Sequence, residues 1–216
     1  HVGSLALRFS AEKAVNRSFL IGPDGMVLAS YDKIHMFDID LPGGESYRES
    51  ANYQPGETAV ISDLPWGRIG LTICYDLRFP ALYRALAESG ASFLTVPSAF
   101  TKKTGEAHWH TLLRARAIET GCFVFAAAQA GMHENKRETY GHSLIVAPWG
   151  EILAEGGVDC RAAYPDSLWS ELTWRGGSLL DQSTDAPPTG ADALIDALGP
   201  DVVVTCAWRS DAGAIT

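Results

Sequence analysis

Gly70-Leu71-Thr72-Ile73-Cys74-Tyr75-Asp76-Leu77-Arg78-Phe79-Pro80 is the stretch that decides the fold. Its first four residues form an apolar run that reads as a buried strand. The residues after Cys74 read as a helix, with Pro80 in the first turn and Gly90 just past the end. A strand that runs straight into a helix belongs to an α/β layer structure. A cysteine at that junction has its sulfur at the mouth of the sheet, among turn N–H groups, where α/β enzymes carry a nucleophile. The competing reading of any single cysteine is a small buried hydrophobe. Cys122 and Cys206 fit that reading, because each lies in or ends an apolar strand, and Cys160 carries no signal.

Outward from this stretch, hairpins and helices alternate. Arg17 to Ile21 and Met26 to Ala29 flank the turn Pro23-Asp24-Gly25. Thr58 to Leu64 and Arg68 to Cys74 flank Pro65-Trp66-Gly67, and His142 to Ala147 and Glu151 to Ala154 flank Pro148-Trp149-Gly150. Helices are expected over 80–89 and 106–120, the second ended by Gly121, followed by strands at Ser92 to Val96 and Cys122 to Ala128. Val2 to Leu7 looks like the interior of a strand in a sequence that begins without Met, so an N-terminal segment is expected to precede it. The pattern implies a mixed sheet covered by helices.

Composition excludes several classes. The 216 residues are 46% hydrophobic, enough for one domain with a sizeable core, and no apolar run is long enough to span a membrane. The net charge of −9 argues against nucleic acid as a partner. Residues 1–156 carry 14 basic and 17 acidic side chains, and residues 157–216 carry 3 and 9, so the last quarter is the acidic part. There the pattern weakens. Residues 181–190 read as a linker, Ala193 to Leu198 as a helix and Val202 to Cys206 as a strand. Four cysteines without CxxC or metal spacing make neither a zinc site nor a disulfide scaffold, so a reducing, cytoplasmic setting is the default.

Lys33, in Tyr31-Asp32-Lys33-Ile34-His35, is either a solvated strand end or a cation beside a developing oxyanion. Glu45 and Glu49 lie in a glycine-led loop as surface carboxylates or as groups that orient a lysine or substrate. His108 and His110 are two apart on an expected helix and face opposite sides, so they form no same-face metal pair. A Cys–His hydrolase with His142 as partner stays open on residue types alone.

Five motifs together resemble the nitrilase superfamily of carbon–nitrogen hydrolases. They are YDKIHMFD (31–38), GGESYRES (43–50), GLTICYDLRFP (70–80), TGEAHWHTLLRARAIETG (104–121) and YGHSLIVAPWGEILAE (140–155), in the family's order. The resemblance implies a four-layer αββα sandwich, N-terminally truncated, with the hydrolase domain over 1–156 and an atypical acidic tail over 157–216. It implies Cys74 as nucleophile, Lys33 as oxyanion-stabilising lysine, Glu49 as a supporting glutamate and the Tyr75 backbone N–H as second oxyanion donor. Phe100, His108 and Trp109 follow as substrate-facing residues. It further implies a thioester intermediate, no metal and no organic cofactor, a small amide and water as reactants, and a homodimer or higher homo-oligomer. The branch most resembled is the Nit branch, whose activities are hydrolysis of deaminated glutathione or, in omega-amidases, of 2-oxoglutaramate. Two departures stand out. The family's general-base glutamate precedes the lysine motif by some tens of residues, in a stretch this sequence does not contain, and Glu12 is too near Lys33 to be it. Residues 157–216 do not resemble the family's continuation. The expectation is therefore an amidase of the complete protein, with residues 1–216 alone an inactive fragment.

Overall fold

The computed structural model describes residues 2–41, 44–133 and 136–157. The linker, helix and strand expected between 181 and 206 lie outside the described residues. β1 (Val2–Arg8), β2 (Ala14–Ile21) and β3 (Val27–Asp32) form an antiparallel three-stranded sheet. β4 (Asp38–Asp40) and β5 (Ser46–Arg48) form a short hairpin that leads into a 3₁₀ turn, Glu49–Ala51. β6 (Val60–Leu64) and β7 (Gly67–Leu71) come next, then a second 3₁₀ turn (Cys74–Arg78) and α1 (Pro80–Glu88). β8 (Ala91–Thr95), α2 (Lys102–Thr120), β9 (Phe123–Ala126), the pair β10 (Ala130–Met132) and β11 (Glu138–Tyr140), β12 (Leu144–Val146) and β13 (Ile152–Glu155) complete the order.

The principal sheet has six strands in the order β13-β12-β9-β8-β7-β6, with β7, β8 and β9 parallel and the rest antiparallel. Both faces of its central strands are covered, and the side chains sort by the period of two. Leu94, Val96, Val124, Ala126, Leu144 and Val146 point to the face packed by α1 and α2, where they meet Leu82, Leu86, Trp109 and Leu113. Ile69, Leu71, Ile73, Phe93 and Phe125 point to the other face and meet Leu20 and Tyr31 of the three-stranded sheet. Two sheets back to back with helices outside one of them give three of the four layers of a nitrilase-type sandwich within the described residues.

Close approach sets one glycine. A Cβ on Gly70 would lie 3.0 Å from Leu86 and 3.1 Å from Leu94, so glycine in β7 lets α1 sit directly on the sheet. The helix expected immediately after Cys74 is two pieces. The 3₁₀ turn occupies Cys74–Arg78, and α1 starts only at Pro80, whose ring suits a first helical position. α2 starts four residues earlier than the sequence pattern suggests, because the Thr101 hydroxyl caps it by accepting from Thr104 N–H. It ends as expected at Gly121, with φ 66°.

Candidate active site

Cys74 stands where the principal sheet opens. Its φ of 50° is a left-handed conformation that a non-glycine residue seldom adopts, and it turns the chain sharply from strand into the 3₁₀ turn. Three elements hold that geometry. The Cys74 N–H donates to Pro97 O beyond β8 at 3.0 Å, and Arg116 Nε from α2 donates to Leu77 O at 3.0 Å. The third anchor is Asp76, fully buried. Its carboxylate accepts from Ile73 N–H (2.9 Å), the Tyr31 hydroxyl (2.7 Å) and His35 N–H (3.0 Å), and pairs with His35 Nδ1 (2.7 Å). The His35 ring stacks on Phe79 with centroids 3.6 Å apart, closing this joint. Burial and the neighbouring Asp76 push the Tyr31 phenol well above its ordinary pKa, so it stays a donor.

That joint delivers Lys33. The lysine follows β3 by one residue and is 2% exposed, a buried ammonium rather than a solvated strand end. Its N–H donates to Asn16 O and its carbonyl accepts from Gly56 N–H at 2.8 Å. A Cβ on Gly56 would lie 2.2 Å from Asp32 O, so only glycine lets this strand end be clasped so tightly. Lys33 Nζ lies 2.5 Å from Glu49 Oε2, and the same oxygen accepts from Phe37 N–H at 2.6 Å. Glu49 begins its 3₁₀ turn and is largely buried, so its charge is matched by one ammonium and one backbone donor.

A cavity of about 400 Å³ brings Cys74, Tyr75, Lys33 and Glu49 together with Arg78 and Arg137. Phe100 also lines it. The Arg78 guanidinium lies 5.8 Å from the Tyr75 ring and 5.6 Å from Phe100, and burial pushes its pKa down from the ordinary arginine value. Among the described lining residues Glu49 is the one carboxylate, and it is already paired, so the wall is predominantly cationic. Tyr75 is the second residue of the 3₁₀ turn, a position whose N–H finds no acceptor inside the turn.

Trp109 is not part of this wall. It is fully buried, donates from Nε1 to His142 O at 2.6 Å and backs the Phe100 ring at 4.8 Å, because helix packing turns its indole into the core. His108 is absent from the lining as well. It is exposed, and its Nδ1 lies 3.3 Å from Arg78 Nη2, so it meets the cavity only through that arginine. Glu45 is an exposed loop carboxylate that accepts from the Tyr47 hydroxyl. His142 pairs with Glu155 instead of lining the Cys74 cavity. Asp76 is the residue sequence reasoning missed. Its signal was a carboxylate two residues after the cysteine, in a stretch too apolar to solvate it.

A buried lysine–glutamate pair and an elbow cysteine thus share one cavity at the mouth of the sheets. The carbon–nitrogen hydrolase family model matches residues 2–159, and the chain belongs to that family. Over 157 residues it is 51% identical to the deaminated glutathione amidase of Yersinia enterocolitica, covering 71% of this chain and 55% of that one. The NitFhit protein of Caenorhabditis elegans superposes with a TM-score of 0.68 at 46% identity, over 73% of this chain and 39% of that one. A mutant of the amidase from Nesterenkonia sp., with the acetamide moiety of fluoroacetamide added covalently at its active-site cysteine, superposes with a TM-score of 0.63 at 32% identity, over 72% and 56% of the two chains. The chain spans about half the length of the curated relatives it matches.

Proposed function

We propose that the whole protein of which this chain is part hydrolyses the amide bond of a small carboxylate-bearing amide, most specifically deaminated glutathione, through Cys74. The observation that carries this reading is the convergence of Cys74, the buried Lys33–Glu49 pair, Arg78 and Arg137 on one small cavity. The Cys74 sulfur, once its proton is lost, attacks the amide carbon. The carbonyl electron pair moves onto oxygen, where the Lys33 ammonium and the Tyr75 N–H stabilise it. Collapse of that intermediate breaks the C–N bond, and the amine leaves with the proton that the thiol gave up. The thioester left on Cys74 is cleaved by water to a carboxylate and the free thiol. Glu49 acts on Lys33, holding Nζ toward the oxyanion position. Arg78 and Arg137 suit a substrate that carries carboxylates away from the scissile bond.

That relatives about 50% identical to this chain are deaminated glutathione amidases supports deaminated glutathione over 2-oxoglutaramate, the omega-amidase substrate. Neither reaction draws on a metal or organic cofactor. A homo-oligomer and a cytoplasmic setting remain part of the same proposal. Among the described residues no helix is long and apolar enough to cross a membrane. The deciding experiment is amine release from deaminated glutathione, with 2-oxoglutaramate in parallel, by the complete protein and its Cys74→Ala variant. Turnover lost in the variant and faster on deaminated glutathione is the expected result. Turnover that survives Cys74→Ala sinks the assignment. Residues 1–216 assayed alone test the narrower expectation that this piece is inactive.

A further inference from the structure

Three ligand-bearing side chains from three separate elements meet beside α2. His110 Nε2 of α2 lies 2.9 Å from Glu155 Oε1 at the end of β13. His142 Nδ1, from the turn before β12, lies 2.6 Å from the same oxygen. The three ligand atoms all fall within 4.8 Å of one another, and none of the three residues lines the Cys74 cavity. We infer that His110, His142 and Glu155 form a surface site for a divalent transition metal of the zinc class.

The donor set selects the metal. Two imidazole nitrogens and one carboxylate oxygen suit Zn²⁺ and its neighbours, whereas Ca²⁺ and Mg²⁺ want oxygen alone. Zinc bonds to these donors at about 2.0–2.2 Å, so three ligand atoms already this close need only small side-chain shifts to surround one ion. Each side chain is between a quarter and two-fifths exposed, so solvent reaches the cluster.

The supports are rigid. The His142 carbonyl is held by Trp109 Nε1, its ring stacks on Tyr140 with centroids 4.3 Å apart, and its φ of 56° directs Nδ1 toward Glu155. Tyr140 is in turn pressed on α2, since a Cβ on Gly105 would fall 2.3 Å from it. Such outer contacts orient metal-ligating histidines. The two-residue spacing of His108 and His110 excludes a pair on one helix face, but this site uses one histidine of that pair and recruits the other from a turn 32 residues on. A bound ion would cross-link α2 to the β12–β13 edge.

The test is a Zn²⁺ titration of the metal-free full chain against a chromogenic chelator. It compares the wild type with Cys74→Ala, His110→Ala, His142→Gln and Glu155→Gln, each checked for folding by circular dichroism. One saturable equivalent should appear in the wild type and in Cys74→Ala, and its affinity should fall at least about tenfold in each ligand variant. Co²⁺ loaded in place of Zn²⁺ should give visible d–d bands that the Glu155→Gln variant loses. Should His110→Ala unfold, Glu155→Gln at the strand end reads the same loss. Zinc binding that is unchanged in the ligand variants, that disappears in Cys74→Ala, or that shows no saturable equivalent overturns the site.

Discussion

The hydroxyl of Tyr31 donates to Asp76 Oδ2 across 2.7 Å, and both side chains are almost wholly buried. Lys33 lies two residues after the first and Cys74 two residues before the second. This one bond therefore spans the interface between the two sheets and sets the separation of the two groups proposed to do the chemistry. Tyr31→Phe removes it without changing the ring. Its expected cost is about 1–2 kcal/mol, since Asp76 keeps its other donors. Turnover should fall more than substrate affinity, because the displaced group is proposed to act on the oxyanion rather than on the bound amide. A denaturant melt beside a kcat and KM determination checks both. A rise in KM at unchanged kcat would remove Asp76 from any positioning role.

The Lys33–Glu49 pair gives a second test. Glu49→Gln leaves a buried ammonium with a neutral partner, and a cost of about 3–5 kcal/mol is expected for such a break. Lys33→Met should lower kcat by about 10²–10³, the range for losing one oxyanion donor. The double variant should be more stable than the sum of the two single losses, since neither charge is then stranded. A double-mutant cycle on stability, with kcat read in parallel, measures this. Simple additivity would mean the two side chains do not act as a unit.

Much of this arrangement was legible in the sequence, and what was not has a common cause. Continuous apolar runs carried the central strands, because both faces of β7 and β8 are packed. Pro-Asp-Gly and the two Pro-Trp-Gly turns marked hairpins through local backbone preference alone. The 3₁₀ turn after Cys74 was hidden because it depends on Asp76 meeting Tyr31 and His35 more than 40 residues away. The burial of Trp109 was hidden for the same reason: a helical pattern gives spacing, not which neighbour covers the indole. The His110–His142–Glu155 meeting joins a helix, a turn and a strand end, and no single-element period reports it.

The glycine beneath Lys33 makes a sharper demand than its size suggests. A Cβ at Gly56 would collide with Asp32 O at 2.2 Å, against backbone that cannot rotate away. Gly56→Ala should destabilise the protein by about 1–3 kcal/mol and should also reduce turnover by moving Lys33, whose carbonyl Gly56 holds. Gly70→Ala serves as the comparison, because its contacts, at 3.0–3.2 Å, fall on the side chains of Leu86 and Leu94 and not on backbone. It should cost stability with little change in kcat per folded molecule. Equal kinetic losses in both would show that the Gly56 contact has no special bearing on the site.

The two described free cysteines differ in what surrounds them, and pH separates them. Cys122 is buried and donates from its thiol to Ala91 O at 3.0 Å. Burial pushes its pKa above the ordinary thiol value, outweighing the contact with Thr120. The folded state therefore binds the Cys122 proton more tightly than the unfolded chain. Its contribution to stability is complete below the ordinary thiol pKa of about 8.5 and is lost as pH rises from there through the folded value. The wild type should lose stability over that alkaline range relative to Cys122→Ala, whose own packing loss is independent of pH. Alkylation with iodoacetamide at neutral pH, mapped by peptide mass, should mark Cys74 well before Cys122, because only Cys74 opens onto the cavity and the other must wait for local unfolding. Equal labelling of the two under native conditions would contradict the assignment of Cys74 as the accessible nucleophile.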